Sequence, residues 1–299
     1  MAALVAYIPS PHTGIVNVGP LTLHMYGLML LLAIVACIAL TGVRWTRLGG
    51  DWDLVMRVAV WGVAAGVVGA RAYHDLTSWN EVPSPKWKGI FEVWEGGLGV
   101  WGGILLGTLV GAVIVYRSGA SVRLFMDAVA PGLLLAQGIG RWGNWWNQEL
   151  FGKPTSLPWA LEIDPVHRNQ LAPKYQFSTT YHPTFLYEFV YDVVMAGVLL
   201  LVGKRFRIRP PALFALYVSV YTFGRTFEEL LRIDPSHRFL GERVNFWVSI
   251  VVFACSTAFF IWWQFFRETR EEPSIAARPV LPPKGPAMAV PKGRVRSGR

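Results

Sequence analysis

Charged residues are scarce in this chain, and their scarcity excludes several classes of protein. Only 16% of its 299 residues are charged, whereas 53% are hydrophobic. A typical soluble domain is about one quarter charged, so the composition indicates a membrane protein. The two cysteines, Cys37 and Cys255, lie within apolar runs and lack metal-ligand spacing. There is also no glycine-rich phosphate loop following a strand, so we predict no metal and no cofactor.

Seven apolar segments are long enough to cross a bilayer. They fall at residues 23–42, 54–72, 97–116, 124–143, 183–203, 211–231 and 244–266. We therefore predict an all-α integral membrane protein with seven transmembrane helices, in which residues 1–266 form one membrane domain. The polar, proline-containing segment 144–182 predicts a small head between spans four and five, and the basic, Pro-rich segment 267–299 predicts a disordered tail.

The distribution of Lys and Arg predicts the orientation. Loops on the side of the C-terminal tail, together with that tail, hold 16 Lys and Arg, whereas the loops on the other side hold 7 and residues 1–22 hold none. The positive-inside rule therefore places the N-terminus outside and the C-terminus in the cytoplasm, with the head outside. Because much of the net charge of +9 lies in these loops and in the tail, we predict no nucleic-acid partner.

Residues 137–152 (QGIGRWGNWWNQELFG) gather polar side chains at the outer end of span four. Arg141, Asn144, Gln148 and Glu149 would share one side of a helix that continued past Gly143. A cation and amides at the rim of a membrane span cost free energy to place there. Their presence predicts a functional site.

Four arginines lie in the outer half of the predicted bilayer. With a rise of ~1.5 Å per residue, Arg141 lies roughly 27 Å and Arg225 roughly 21 Å from the cytoplasmic start of their spans. Arg71 ends span two and Arg243 begins span seven on the outer side. Two guanidinium groups at matching depth suit a phosphate. At that depth the expected phosphate is that of a phospholipid head group.

Structural ion pairs are the alternative explanation for these arginines. Glu228 and Glu229 follow Arg225 by three and four residues and could pair with it within the helix. Arg71 and Arg243 could each pair with an acid of another span. Further polar or glycine-rich groups reach the same outer level from spans one, three and five, namely His24, Tyr26, residues 96–103, His182, Tyr187 and Glu188.

Residues 140–152 (GRWGNWWNQELFG) resemble the signature of the bacterial prolipoprotein diacylglyceryl transferases. Four further segments resemble other sequence blocks of that family: residues 25–27 (MYG), 182–188 (HPTFLYE), 225–229 (RTFEE) and 241–245 (GERVN). The likeness covers residues 15–266 in order and includes the seven-span plan.

The resemblance implies transfer of the diacylglyceryl group of phosphatidylglycerol to the lipobox cysteine of a prolipoprotein, with release of glycerol phosphate. It implies a bacterial plasma-membrane location, an active site toward the outer leaflet, and prolipoprotein signal peptides, phosphatidylglycerol and membrane lipids as partners. The positions that it implies for catalysis are Tyr26, Arg141, Asn144, Glu149, Gly152, Arg225 and Glu229. The residues predicted to bind substrate are Trp101, Arg141, Asn144, His182, Glu188 and Arg225.

One departure from the family concerns the general base. Where many members have His-Gly-Gly, this chain has Trp101-Gly102-Gly103, so a histidine proposed as base in those members is absent. The candidates left open for this role are Glu149, Glu229, Tyr26, His24 and His182. A second interpretation of the whole sequence is a transporter or flippase for an anionic lipid. Such a protein would need a polar route to the cytoplasmic side, whereas the inner halves of spans one, three and five are apolar.

Overall fold

The computed structural model describes residues 7–93 and 96–267 and is mostly helical. In chain order its elements are β1 Ile15–Val18, β2 Leu21–His24, α1 Met25–Arg47, α2 Trp52–Thr77, a 3₁₀ turn Trp79–Glu81, α3 Lys86–Gly89, α4 Val100–Arg117, α5 Val122–Trp146, β3 Leu161–Glu162, α6 Pro165–Arg168, α7 Pro173–Gln176, β4 Thr180–Tyr181, α8 Thr184–Arg205, α9 Ala212–Leu231, β5 Arg238–Phe239, β6 Glu242–Arg243, and α10 Val244–Ile261 with a π-helical end, Trp262–Phe266.

Six helices within these described ranges are long and apolar enough to cross a membrane: α1, α2, α4, α5, α8 and α10 with its π-helical end. The apolar segment of α10 is only 6% buried within the protein, as expected for a helix whose side chains face lipid. This confirms the prediction of a largely helical membrane protein. The remaining predicted span is span six, which corresponds to α9 and has Arg225, Glu228 and Glu229 among its 20 residues. The count of seven spans stays a prediction.

Helix α5 lies at the centre of the bundle, where it packs against α1, α8 and α9. It begins where the Ser121 hydroxyl accepts a hydrogen bond from the Leu124 amide at 3.3 Å, the usual way to satisfy a free N–H at a helix start. On one side of the bundle, α2 packs against α4 through glycines. A Cβ atom on Gly69 or Gly102 would collide with the other's carbonyl oxygen. Such close approach of two backbones is typical of glycine-rich helices that pack within a membrane.

A polar contact joins three helices at the end of the bundle away from segment 144–182; the predicted topology makes this the inner end and the opposite one the outer end. The Arg44 guanidinium of α1 donates to the backbone oxygens of Asp127 at 3.1 Å and Ala128 at 3.0 Å on α5. The Asp127 carboxylate accepts a hydrogen bond of 2.8 Å from the Phe214 amide of α9. Polar atoms within lipid cannot hydrogen-bond to water, so these atoms need partners in the protein. The contact therefore fixes the packing of α1, α5 and α9 against one another.

Short elements cover the outer ends of the helices. Strands β3 and β4 pair antiparallel, with Leu161 opposite Tyr181. The apolar core beneath them includes Phe185 of α8 and Ile233, so segment 144–182 shares its core with the membrane helices. Ahead of α1, strands β1 and β2 pair antiparallel and form an exposed hairpin. The disordered tail was predicted for residues 267–299, and 268–299 lie outside the described residues.

Candidate functional site

The outer end of α5 carries a chain of polar contacts. Arg141 donates through Nη1 to the side-chain oxygen of Asn144 at 3.4 Å, and the Asn144 amide donates to the Glu149 carboxylate at 2.8 Å. Asn144 is buried, whereas Glu149 is exposed at the rim. Arg141, Asn144 and Glu149 therefore form one chain of hydrogen bonds, the relay, which runs from the inside of the bundle to its outer surface.

The prediction that Gln148 shares this side of the helix is wrong. Helix α5 ends at Trp146, and Gln148 has a φ of 51° that reverses the chain. Its buried amide instead donates to the backbone oxygen of Pro11 at 2.8 Å and to the Asp164 carboxylate at 2.7 Å. The second of these hydrogen bonds lowers the pKa of Asp164 below its ordinary value. Gln148 therefore joins the head to the N-terminal segment.

Three helices bring their charges together beside this relay. The Glu188 carboxylate of α8 contacts Arg141 Nη2 of α5 at 2.6 Å and Arg225 Nη1 of α9 at 3.6 Å. Arg225 also pairs with Glu228 and Glu229 on its own helix, as the sequence spacing predicts. The side chains of Arg141 and Arg225 are 17% and 14% exposed, so both guanidinium groups lie largely out of water and close to one carboxylate.

A second group of charges lies on the outer side of this cluster. Glu229 pairs with Arg243 Nε at 2.5 Å and with Arg232 Nη1 at 3.5 Å, and Asp234 pairs with both arginines at 2.8 Å. This confirms that Arg243 pairs with an acid of another helix. Burial raises the pKa of Asp234, but the hydrogen bonds and charges of Arg232 and Arg243 outweigh burial and hold the pKa below its ordinary value. These ion pairs hold the end of α9 against the start of α10.

The partner predicted for Arg71 is wrong. Its ion pair is with Asp75 on the same helix at 3.1 Å, rather than with an acid of another span. The Nε atom that contacts Asp75 also donates to the backbone oxygen of Ile90, and the two terminal nitrogens donate to those of Gly89 and Gly96, all in the loop between α2 and α4. Arg71 therefore anchors that loop and is separate from the Glu188 cluster.

An apolar cavity of about 480 Å³ lies between α1, α2 and α5. Tyr26, Arg141 and Asn144 form part of its polar lining, and its other walls are mainly aliphatic side chains. Leu30 and Val63 line it and are themselves 43% and 42% exposed. The cavity therefore opens between α1 and α2 toward the region that lipid would occupy.

Two further cavities border the same residues. A basin of about 830 Å³ on the outer side has a more polar lining than the apolar cavity. It is lined by Glu149 and also by Tyr26, which the two cavities share. The Tyr26 ring lies against Gly143, where an added Cβ atom would come within 2.6 Å of the ring. A smaller cavity of about 270 Å³ is lined by Glu188 and Arg225 and shares Tyr221 with the apolar cavity. The three cavities therefore adjoin one another through shared lining residues.

The remaining predicted residues lie outside the ion cluster. His182 contacts the Tyr187 hydroxyl at 3.1 Å, and Trp159 donates to the same hydroxyl at 3.0 Å. Burial, with a smaller effect from the charge of Lys153, lowers the pKa of His182. Gly152 donates its amide to the His182 backbone oxygen at 2.9 Å, and a Cβ atom there would lie 2.8 Å from the His182 Cβ. These contacts favour a positioning role for Gly152.

Trp101 is placed differently from the other predicted residues. It lies on α4, is 59% exposed, and lines none of the three cavities within the described part of the chain. Its role in substrate binding stays a prediction. Sequence reasoning overlooked Asp192, a fully buried acid one helical turn after Glu188, although an acid within an apolar span is itself a signal of function.

Comparison with known proteins adds to this geometry. A family model described as prolipoprotein diacylglyceryl transferase matches residues 13–262. A phosphatidylglycerol–prolipoprotein diacylglyceryl transferase of Frankia alni is 48% identical over 249 residues, which cover 83% of this chain and 65% of the relative. The protein of the same name from Bifidobacterium adolescentis is 42% identical, covering 86% of this chain and 80% of the relative. Phosphatidylglycerol–prolipoprotein diacylglyceryl transferase 2 of Streptomyces coelicolor is 45% identical, and the match covers 85% of this chain and 80% of the relative.

These matches cover most of this chain. The chain nevertheless spans less than two thirds of the length of the Frankia alni relative. The family model covers most of the residues that form α1 to α10. The chain belongs to the prolipoprotein diacylglyceryl transferase family.

Proposed function

We propose that the protein transfers the diacylglyceryl group of phosphatidylglycerol to the cysteine thiol in the lipobox of a prolipoprotein. The observation that carries the proposal is the convergence of Arg141 and Arg225 on Glu188, beside a cavity that is polar at one end and apolar along its length. The family of the chain and the names of its relatives support this activity. The products are a thioether-linked diacylglyceryl peptide and glycerol phosphate.

The apolar cavity suits the lipid substrate. A head group near Arg141 and Asn144 would place its acyl chains along the aliphatic walls. The opening beside Leu30 and Val63 would let the chains extend into the bilayer and let the lipid enter sideways. Guanidinium groups suit the phosphate because each can donate two parallel hydrogen bonds to its oxygens.

The chemical step requires the thiol to lose a proton and the phosphate ester to leave. The thiolate sulfur attacks the glyceryl carbon that carries the phosphate, so a C–S bond forms as the C–O bond breaks. Negative charge grows on the departing glycerol phosphate. Arg141 and Arg225 would stabilise that charge more in the transition state than in the ground state, which is the condition for catalysis.

Glu149 is the carboxylate best placed to accept the thiol proton. It is exposed and lines the outer basin, from which a peptide would approach, and Asn144 connects it to Arg141. Glu229, by contrast, has a side chain that is 0% exposed and is paired with arginines. We therefore assign the general base to Glu149 and a positioning role to Glu229.

We further propose that α9 is the seventh span, and that the site faces the outer leaflet of the bacterial plasma membrane. The polar residues of the site lie at the ends of the helices nearest the head, and the excess of Lys and Arg lies at the opposite ends. Single cysteines at Lys174 in the head and at Arg207 between α8 and α9 test this topology. A membrane-impermeant maleimide should label the first in intact cells and the second only after permeabilisation. The reverse result would overturn the orientation.

The activity is tested with purified full-length protein, phosphatidylglycerol vesicles and a synthetic lipobox peptide. We expect a lipidated peptide and free glycerol phosphate in equal amounts, and neither product with a peptide whose cysteine is replaced by serine. A lipid transporter would instead move labelled phosphatidylglycerol between leaflets without cleaving it. Movement of intact lipid without glycerol phosphate would overturn the proposed transfer and favour that alternative.

A further inference from the structure

Asp192 is a carboxylate in the middle of the bundle that has no role in the mechanism above. Its residue is 0% exposed, and neither carboxylate oxygen has a hydrogen-bond partner among the described residues. It lies on α8 one turn inward from Glu188 and lines the cavity of about 270 Å³ beside Arg225. An unpartnered carboxylate in an apolar interior is costly when ionised, so its presence calls for an explanation.

The groups around Asp192 come from three helices. Its Cβ atom lies against Gly138 of α5, where an added Cβ would be 3.1 Å away. The titratable or charged groups that act on it or line its cavity are Tyr187, Glu188 and Tyr191 on α8, Arg141 on α5, and Tyr217, Tyr221, Arg225 and Glu228 on α9. Both arginines form ion pairs with Glu188 rather than with Asp192. Asp192 is therefore near the cationic pair without being bound to it.

The charges of this largely buried region, which includes the partly exposed Asp234, do not balance when all are ionised. Four arginines accompany five carboxylates: Arg141, Arg225, Arg232 and Arg243 with Glu188, Asp192, Glu228, Glu229 and Asp234. The arrival of an anionic phosphodiester adds a further negative charge. Excess charge out of water is expensive, and the usual relief is protonation of one acid.

Protonation of Asp192 sacrifices fewer ion pairs and hydrogen bonds than protonation of any of the other four acids. The other four carboxylates each contact at least one arginine, and a proton on any of them would weaken an ion pair. Among the residues with described positions, Asp192 has neither an ion pair nor a hydrogen bond to give up.

We propose that Asp192 is a proton-binding residue of the lipid site. It takes up one proton from water when the phosphate of an anionic lipid binds the arginine pair, becoming a neutral carboxylic acid. It returns that proton to water when glycerol phosphate leaves. This inference rests on the proposed binding of phosphatidylglycerol. It adds that binding is linked to protons, so lipid affinity falls as the pH rises.

Calorimetry of lipid binding tests the proposal. Purified full-length protein in neutral detergent is titrated with short-chain phosphatidylglycerol, without peptide so that no transfer occurs. The titration is repeated in two buffers of different ionisation enthalpy from about pH 5.5 to 8.5, and the difference in heat gives the protons taken up per lipid. For wild type we expect proton uptake that increases with pH and approaches one proton at the alkaline end of this range, where free Asp192 is ionised. There Kd should rise by up to about tenfold per pH unit.

The variant Asp192→Asn should bind the lipid with little proton uptake and a nearly flat dependence of Kd on pH. The variant Asp192→Glu should restore uptake because it restores a carboxyl group. Asp127→Asn is the matched control. Asp127 is also a buried acid of this bundle, but its carboxylate accepts a hydrogen bond from the Phe214 amide, and we expect wild-type uptake. A loss of uptake caused merely by a structural defect would appear in this control as well.

Two outcomes would overturn the inference alone: lipid binding by wild type without proton uptake, or unchanged uptake in Asp192→Asn. Infrared difference spectra of wild type provide a readout that needs no variant, since lipid binding should produce a new band of a protonated carboxyl group. Absence of that band at the alkaline end of the pH range is a third outcome that would overturn the inference. Failure of wild type to bind phosphatidylglycerol at all would overturn both this inference and the proposed function.

Discussion

Arg71 and Arg141 both lie toward the outer ends of long helices and both are largely buried, but their partners differ. Arg71 pairs with Asp75 on its own helix, and its other contacts are backbone oxygens of one loop. Arg141 contacts the carboxylate of Glu188 and the side chain of Asn144, and it lines the apolar cavity. One arginine is held mainly by main chain, and the other by side chains.

The difference separates an anchor from a binding group. A backbone oxygen cannot leave Arg71 unless the loop itself moves, so those hydrogen bonds serve stability. A carboxylate such as Glu188 can change rotamer and make room for another anion. Arginine in a membrane is therefore informative about function when its partners can be exchanged and a cavity adjoins it, and depth in the bilayer is an insufficient criterion.

Replacement of Arg141 tests the binding group most directly. We expect Arg141→Ala to lower the rate of transfer by on the order of 10²–10³-fold, the effect of removing one donor to a developing anion. Folding should be retained because Arg225 still contacts Glu188. The control is Arg57→Ala, whose exposed pair with Asp53 contributes little. Normal turnover by Arg141→Ala would show that the site is assigned wrongly.

Asn144 extends the comparison to a neutral side chain. We expect Asn144→Ala to lower transfer by about 10²-fold, since it breaks the relay that holds Arg141 and Glu149. Asn147→Ala is matched to it, because Asn147 also contacts Glu149, but at 3.4 Å. A steady-state assay with lipobox peptide should show a clearly smaller loss for Asn147. Equal losses for the two variants would remove the relay from the mechanism.

Replacement of Arg71 should affect the anchor and leave chemistry alone. Arg71→Ala leaves Asp75 without its ion-pair partner and several carbonyls without a donor, at a cost of roughly 3–5 kcal/mol of stability. Thermal unfolding in detergent measures this loss. Transfer per folded molecule should stay close to wild type, and the double variant with Asp75→Asn should recover part of the stability. A collapse of turnover in protein that is still folded would erase the distinction between the two arginines.

The smallest effect is expected at His182. With Glu149 as the base, His182→Gln should keep the shape of the pH–rate profile and lower the rate by less than about tenfold. The measurement is the transfer rate of both proteins across the range in which imidazole titrates. Loss of an imidazole-like ionisation in the variant would transfer the role of base from the carboxylate to His182.

The pKa of His182 also sets the sign of a stability effect. Burial lowers that pKa, so folded protein binds fewer protons at this site than unfolded protein does. Wild-type stability should therefore decrease as the pH falls below about 6.5, the ordinary histidine value, whereas His182→Gln should lack this component.

Local spacing explains which parts of the site were predictable. The pairing of Arg225 with Glu228 and Glu229 follows from helical geometry, and the Asp75 partner of Arg71 could have been found in the same way. The reversal at Gln148 depends on a positive φ that no hydrophobic pattern encodes. Cavities, and the approach of Glu188 to two other helices, depend on packing between distant segments. Helix positions were therefore accessible from sequence, whereas the shapes between them were not.

The position of Tyr26 makes the two substrates interdependent. Its ring borders both the apolar cavity and the outer basin. A lipid in the cavity and a peptide in the basin would therefore contact the same side chain from opposite sides. Saturation with lipid should then alter the apparent KM for peptide even if the backbone stays still. Tyr26→Ala, by removing the shared wall, should make the two affinities independent of one another.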